Sequence, residues 1–108
     1  MIYAFGSVFP CWWDDQTHLY EIVTDEEVRV FGLQELHHLA LRIQSICGLN
    51  FFSTEIVFTP QNRFVVVDYV NEICDMRVQS LHRDGVPDSI VLEIAECLAR
   101  FVAKSAIV

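Results

Sequence analysis

Residues 48–71 read GLNFFSTEIVFTPQNRFVVVDYVN, and the fold turns on how this stretch is divided. Two β-rich runs, Phe51–Phe58 and Arg63–Val70, flank Thr59-Pro60-Gln61-Asn62, whose residue types make turns, so the pattern predicts an antiparallel hairpin. In FFSTEIVF, alternation puts Phe52, Thr54, Ile56 and Phe58 on one face and Phe51, Ser53, Glu55 and Val57 on the other. The first set is the more apolar and is expected to face helices. Glu55 then points to the open face. A turn at Pro60–Asn62 sets position 55 roughly across from positions 67 to 68, so the carboxyls of Glu55 and Asp68 are expected side by side.

Immediately before the hairpin, Leu36, Leu39, Ala40, Ile43, Ile46 and Cys47 recur at helical spacing, which predicts a helix over Leu33–Cys47 with Gly48 as its stop. Further upstream, Thr24-Asp25-Glu26-Glu27 has the form of a capping box and opens an earlier turn of helix, with Gly32 against its extension. IYAFGSVF at 2–9 reads as a strand, or as a hairpin turning at Gly6-Ser7. Asp14-Asp15-Gln16 is a turn and His18–Val23 a short strand. On the C-terminal side, Pro87 or Asp88 opens a helix to about Ala103 with the stripe Ile90, Val91, Ile94, Cys97/Leu98 and Phe101. The order is roughly β-β-α-β-β-α. It predicts a single domain over residues 1–108 of the α+β class, an α/β two-layer in which an antiparallel sheet carries two main helices on one face.

Bulk properties narrow the function. The net charge is −8, with seven basic and fifteen acidic residues. The arginines are scattered, which argues against nucleic acid. No run is apolar and long enough to span a bilayer, and MIYAFGSVFP lacks the basic start of a signal peptide. Cys11, Cys47, Cys74 and Cys97 form no C-x-x-C pair and read as free thiols of a cytoplasmic protein. Mean hydropathy is +0.34, high for so small a chain. That surplus has two readings: a dense core, or an apolar face for a second copy or a neighbouring domain.

The hairpin carries the richest chemistry. Two carboxylates side by side repel, and a divalent cation relieves the conflict. Mg²⁺ takes hard oxygen donors, usually one or two carboxylates with waters and substrate phosphates. Glu55 and Asp68 supply carboxylates, and Asn71 adds an amide oxygen. The competing reading leaves the acids facing solvent or paired with Arg63 or Arg77. Arg77 itself either grips a phosphate or substrate carboxylate with its planar fork or pairs with Asp75 or Asp68. His37-His38 diverge on a helix and suit no shared metal ion; Cys74 with His82 lacks a third, orienting group. Trp12-Trp13 is either a stacking or partner surface, or core.

Residues 48–71 resemble the C-terminal core of the ATP-grasp superfamily, carboxylate–amine ligase type. There a helix ends at Gly, a strand carries an acid, and the partner strand ends in an acid and an asparagine. MIYAFGSVFPC is similar to the strand pair that precedes that helix, and Asp88–Ala103 has its counterpart, so the resemblance spans nearly the whole chain. It implies that Glu55, Asp68 and Asn71 hold Mg²⁺ bridging ATP phosphates, with Arg77 orienting phosphate or substrate. Mg²⁺ and ATP are the implied cofactors, and ADP-forming carboxylate activation is the implied chemistry of a complete enzyme. Two departures stand out. The spacing is Asp68-x-x-Asn71, where the family pattern is acid-x-Asn, so Asn71 needs a bulge or a turn to reach the site. The lysines and the adenine hinge of the family lie in parts not represented here. The chain is therefore expected to be a truncated or partial member, inactive alone, joined to missing N-terminal and central lobes or to copies of itself. The alternative is a non-catalytic, self-associating interaction module that keeps only this half-fold.

Overall fold

The structure, a computed structural model, describes residues 1–105. Its class is α+β: three small antiparallel sheets and three helices.

The chain opens with a hairpin, β1 (Ile2–Ala4) and β2 (Ser7–Phe9), paired Ile2 to Phe9 and Ala4 to Ser7. The turn is Phe5-Gly6, one residue earlier than Gly6-Ser7. Both residues have positive φ, 51° and 97°, which matches the twist of a two-residue hairpin loop. A second hairpin follows, β3 (Cys11–Trp13) with β4 (Tyr20–Ile22). Its loop is built on Asp14, whose carboxylate accepts the N–H groups of Gln16 and Thr17 at 2.8 and 2.9 Å.

Helix α1 (Asp25–Phe31) starts with the predicted capping box. Thr24 Oγ1 accepts the Glu27 N–H at 3.1 Å, and Glu27 Oε1 accepts the Thr24 N–H at 2.9 Å. Gly32 ends it in the left-handed conformation. Helix α2 (Glu35–Cys47) begins two residues later than the stripe suggested, because Leu33 and Gln34 form the link from α1, and it stops at Gly48 as expected.

Phe51–Phe58 is not one strand. It divides into β5 (Phe51–Ser53) and β6 (Ile56–Phe58). β5 joins the first sheet in the order β2-β1-β5, with Tyr3 opposite Phe52, whereas β6 pairs with β7 (Phe64–Val66) as a separate ribbon. The division falls at Thr54-Glu55. Thr54 is buried, gives its N–H to the Met1 carbonyl at 3.0 Å and its hydroxyl to the Asp68 carbonyl at 3.3 Å. One residue on, the Glu55 carbonyl accepts the Val67 N–H. The chain thus exchanges one partner strand for another within two residues.

The expected two-layer arrangement with both main helices on one face is also corrected. Ile2, Ala4 and Phe9 pack with Val86, Ile90, Ile94 and Cys97, against α3 (Asp88–Ser105). Tyr3 and Phe52 pack with Ala40 of α2, on the other face. The physical reason lies in β1. All three of its residues are buried, so the central strand is apolar on both faces and each face requires a cover. Among the described residues no helix is long and apolar enough to cross a membrane.

Candidate functional site

The division of the long strand opens a cavity of about 600 Å³ between the β3–β4 hairpin and the β6–β7 ribbon. Trp12, Trp13, Phe58, Phe64 and Tyr69 contribute aromatic surface; Met1, Leu33, Leu36 and Thr54 close its apolar side. Glu55, Asp68 and Asn71 all line it, and the β3–β4 loop adds Asp14 and Asp15. Among the described residues no lysine, arginine or histidine side chain belongs to the lining; the cationic group there is the Met1 ammonium, which donates to the Thr54 carbonyl at 3.1 Å and feels the charge of Glu55. Four carboxylates against this single ammonium leave a net negative field, which attracts cations and repels bare anions.

The three sequence-predicted oxygen donors arrive by different routes. The ladder pairs Ile56 with Val66, and its next rung joins Glu55 to Val67. This lies within the expected register of 67 to 68; Val67 is the residue directly across from Glu55, and Asp68 is one residue beyond it. Glu55 and Asp68 meet in one cavity because both lie where the chain leaves the ladder. Asn71 is exchanged with Ser53 through two backbone hydrogen bonds of 2.8 and 3.0 Å. Between the Thr54–Asp68 contact and this bridge, Tyr69 and Val70 are extra residues on one side only. They form a bulge, one of the two routes, bulge or turn, expected for Asn71.

Local bonds occupy part of this donor set. Asp68 Oδ1 accepts the Tyr69 N–H at 2.8 Å, and Asn71 Oδ1 accepts the Ile73 N–H at 3.1 Å. A carboxylate or amide oxygen has a further lone pair, so both stay able to coordinate. The donors are hard oxygens, the type Mg²⁺ prefers. Among the described residues, no group of three or more His, Cys, Asp or Glu side chains is placed to hold a metal ion. With two carboxylates and an amide, the protein part of any cation shell here is incomplete.

Arg77 sits elsewhere and is not part of the cavity lining. Its guanidinium grips Asp75 through Nε and Nη2 at 2.7 to 3.0 Å, and Nη2 reaches Asp84 at 3.1 Å. The side-chain hydrogen bonds from Arg77 hold the carboxyls of Asp75 and Asp84 below their ordinary range. With its fork occupied by two carboxylates, Arg77 closes the 75–84 loop, and the ion-pair reading describes its placement in this structure.

The cysteines carry no sign of activation. All four are free. Burial pushes the thiols of Cys11 and Cys74 up, the latter partly offset by a hydrogen bond with Ser53, so both stay protonated at neutral pH. His37 and His38 are exposed on α2.

Sequence reasoning did not connect the β3–β4 loop to the hairpin. Trp12, Asp14 and Asp15 join the cavity only because Trp12 Nε1 donates to Glu27 Oε2 at 2.8 Å and its ring meets Phe31 edge-on at 6.1 Å. Phe31 in turn meets Phe58 at 6.0 Å. The available signal was the block Trp12–Asp15 itself, two aromatics followed by two acids. The chain matches no protein-family model, no curated protein and no solved structure.

Proposed function

We propose that this chain supplies the magnesium–nucleotide side of an ATP-grasp-type, ADP-forming ligase, working in the cytoplasm with further lobes that carry the lysines and the adenine grip. One observation carries the reading: Glu55, Asp68 and Asn71, spread over two segments, line a single cavity whose charged side chains are all acidic. Such a lining disfavours a bare polyphosphate and favours a cation or its phosphate complex. Bound there, Mg²⁺ supplies charge neutralisation at a transferring phosphoryl group. Asp68 and Glu55 would contribute carboxylate oxygens to the ion, and Asn71 an amide oxygen. In this reading Arg77 is a positioning residue for the 75–84 loop.

The test is Mn²⁺ binding to the purified chain, followed by electron paramagnetic resonance with and without ADP. An incomplete protein shell predicts a dissociation constant in the millimolar range, on the order of −4 kcal/mol. Glu55→Gln and Asp68→Asn should each abolish binding, and Asp84→Asn should leave it intact. The isolated chain should not convert ATP to ADP. Absence of Mn²⁺ binding, or binding indifferent to Glu55 and Asp68, overturns the proposal.

A second reading is favoured by a different observation. Val57, Val65, Val66 and Val67 are 43%, 44%, 42% and 51% exposed, and the alternation of the ribbon sends them to both of its faces. A two-stranded ribbon left open on both faces is marginal alone. This fits a half-fold that works as an interaction module. Binding of a partner protein by a chain indifferent to Mn²⁺ would select it.

A further inference from the structure

The β6–β7 ribbon has one edge that nothing protects. Its ladder bonds run through alternate residues. The Thr59 N–H donates to the Arg63 carbonyl at 2.8 Å, the Val67 N–H donates to the Glu55 carbonyl at 3.1 Å, and Val57 pairs with Val65 between them. The N–H and C=O groups of Phe64 and Val66 therefore point the other way, to the open side of β7. Natural sheets blunt such an edge with proline, lysine, a bulge or an inward charge. The run Phe64-Val65-Val66-Val67 has none of these, and its three valines are exposed. The other edges differ: β2 runs straight into Pro10, and β6 turns toward the cavity, with Ile56, Val57 and Phe58 in the lining.

We propose that β7 pairs with β7 of a second copy of the chain, antiparallel about Val65, so that two ribbons become one four-stranded sheet. Two-fold symmetry sets the register. Phe64 lies opposite Val66 of the second copy and Val66 opposite its Phe64, and each of these pairs exchanges two hydrogen bonds. Every outward backbone group of the two strands is then satisfied. Val65 meets Val65 at the axis, an apolar β-branched pair. Charge selects a second copy as the occupant. In this register Val67 lies between Glu55, its neighbour on the ladder, and Arg63 of the second copy, with all three side chains on one face of the sheet. The acid and the arginine are two strand spacings apart, about 10 Å between Cα atoms, a gap that two long side chains close from either side. Symmetry makes this pair twice. Among the described residues neither Arg63 nor Glu55 has an ion-pair partner in its own chain. A parallel pair sets Arg63 beside Arg63 instead, which is repulsive. The second copy thus brings a basic side chain to the rim of a cavity whose own charged side chains are acidic.

The contact is small. Three strand residues on each side bury far less than a standard interface, and two chains of net charge −8 repel at long range. A dissociation constant on the order of 100 µM is expected. The proposal rests on the interaction-module reading, naming a second copy as the partner, and needs no metal ion.

Sedimentation equilibrium in EDTA from about 10 µM to about 1 mM tests this, and a monomer–dimer equilibrium is expected. Val66→Pro removes an outward N–H that the intrachain ladder does not use, so the ribbon tolerates it and the dimer should be abolished. Val66→Thr keeps that N–H and should keep the dimer. Circular dichroism checks that each variant is folded. The charge exchange tests the same register without touching the backbone. Arg63→Glu and Glu55→Arg should each weaken association about tenfold, and the double exchange should return it to within about threefold of wild type. Amide hydrogen exchange should slow at Phe64 and Val66 as the concentration rises, and stay constant at Val8. A folded Val66→Pro chain that still dimerises, no recovery in the double exchange, or amides of Phe64 and Val66 indifferent to concentration each overturn the proposal. A wild-type monomer throughout overturns it too; if that monomer binds a different protein, the interaction-module reading stands and the self-pairing alone falls.

Discussion

Gly85→Ala should unfold this protein far more readily than the backbone angle suggests. The φ of Gly85 lies outside the left-handed region, so the residue is not required for conformational freedom. The requirement is space: an added Cβ would lie 2.5 Å from the Arg77 carbonyl oxygen and 2.7 Å from the Val78 carbonyl carbon. Both are backbone atoms and cannot swing aside. The 77–79 segment must therefore move away from 85–86. Two hydrogen bonds span that gap, Val86 N–H to Arg77 O at 2.8 Å and Gln79 N–H to Val86 O at 2.9 Å. At about 1 kcal/mol each they account for about 2 kcal/mol. Val86 is 1% exposed and anchors the core beneath α3, so partial withdrawal adds about 1 kcal/mol. The expected loss is about 3 kcal/mol, a shift of about 2 M in the urea midpoint for a domain this size. Tryptophan fluorescence follows the transition, because Trp12 is half-buried and held by Glu27 and Phe31 in the fold. Gly48→Ala is the comparison. Its φ is 72° with nothing within 4 Å, so only backbone strain of about 1 kcal/mol applies. A Gly85→Ala unfolding free energy within about 0.5 kcal/mol of wild type would refute the argument from space.

Other expectations follow from the same geometry. Thr24→Ala removes the capping box and should cost about 1 kcal/mol in urea unfolding. Phe52→Ala empties a fully buried site stacked on Tyr3 at 5.1 Å and should cost about 3 to 5 kcal/mol, provided enough folded protein remains to measure. Asp75 and Asp84 have carboxyls lowered from 3.8 by Arg77, so their contribution is complete above that unfolded value and is lost as pH falls below it. The stability gap between wild type and Arg77→Ala should therefore be largest near pH 7 and shrink below about pH 4; a gap that widens in acid contradicts the pairing. Cys47 is exposed and Cys97 buried, so iodoacetamide should label Cys47 first and Cys97 last, with Cys11 and Cys74 slowed by their raised thiols, as peptide mass mapping would read.

The signals that survived into the structure are local ones. The capping box at Thr24 and Glu27, the stop at Gly48, the Asp14 turn and the stripe Ile90–Ile94–Cys97 each depend on residues within a turn or two of one another. Their chemistry is complete before the chain folds, so reading them needs only spacing.

What the tertiary structure decided are the choices between equally good local partners. Phe51–Phe58 alternates without a flaw, yet Thr54 turns inward to bond Met1 and Asp68, and the strand divides there. Nothing in the eight residues announces it, because the competing partner is β1, some fifty residues away. The same exchange assembled the cavity with Asp14 and Asp15 from a distant hairpin. Arg77 had Asp68 and Asp75 as candidate partners and took Asp75 and Asp84. The helices went to opposite faces because Ile2, Tyr3 and Ala4 are apolar in succession. A strand of alternating polarity chooses one covered face by itself, whereas a uniformly apolar strand leaves that choice to whatever packs on it.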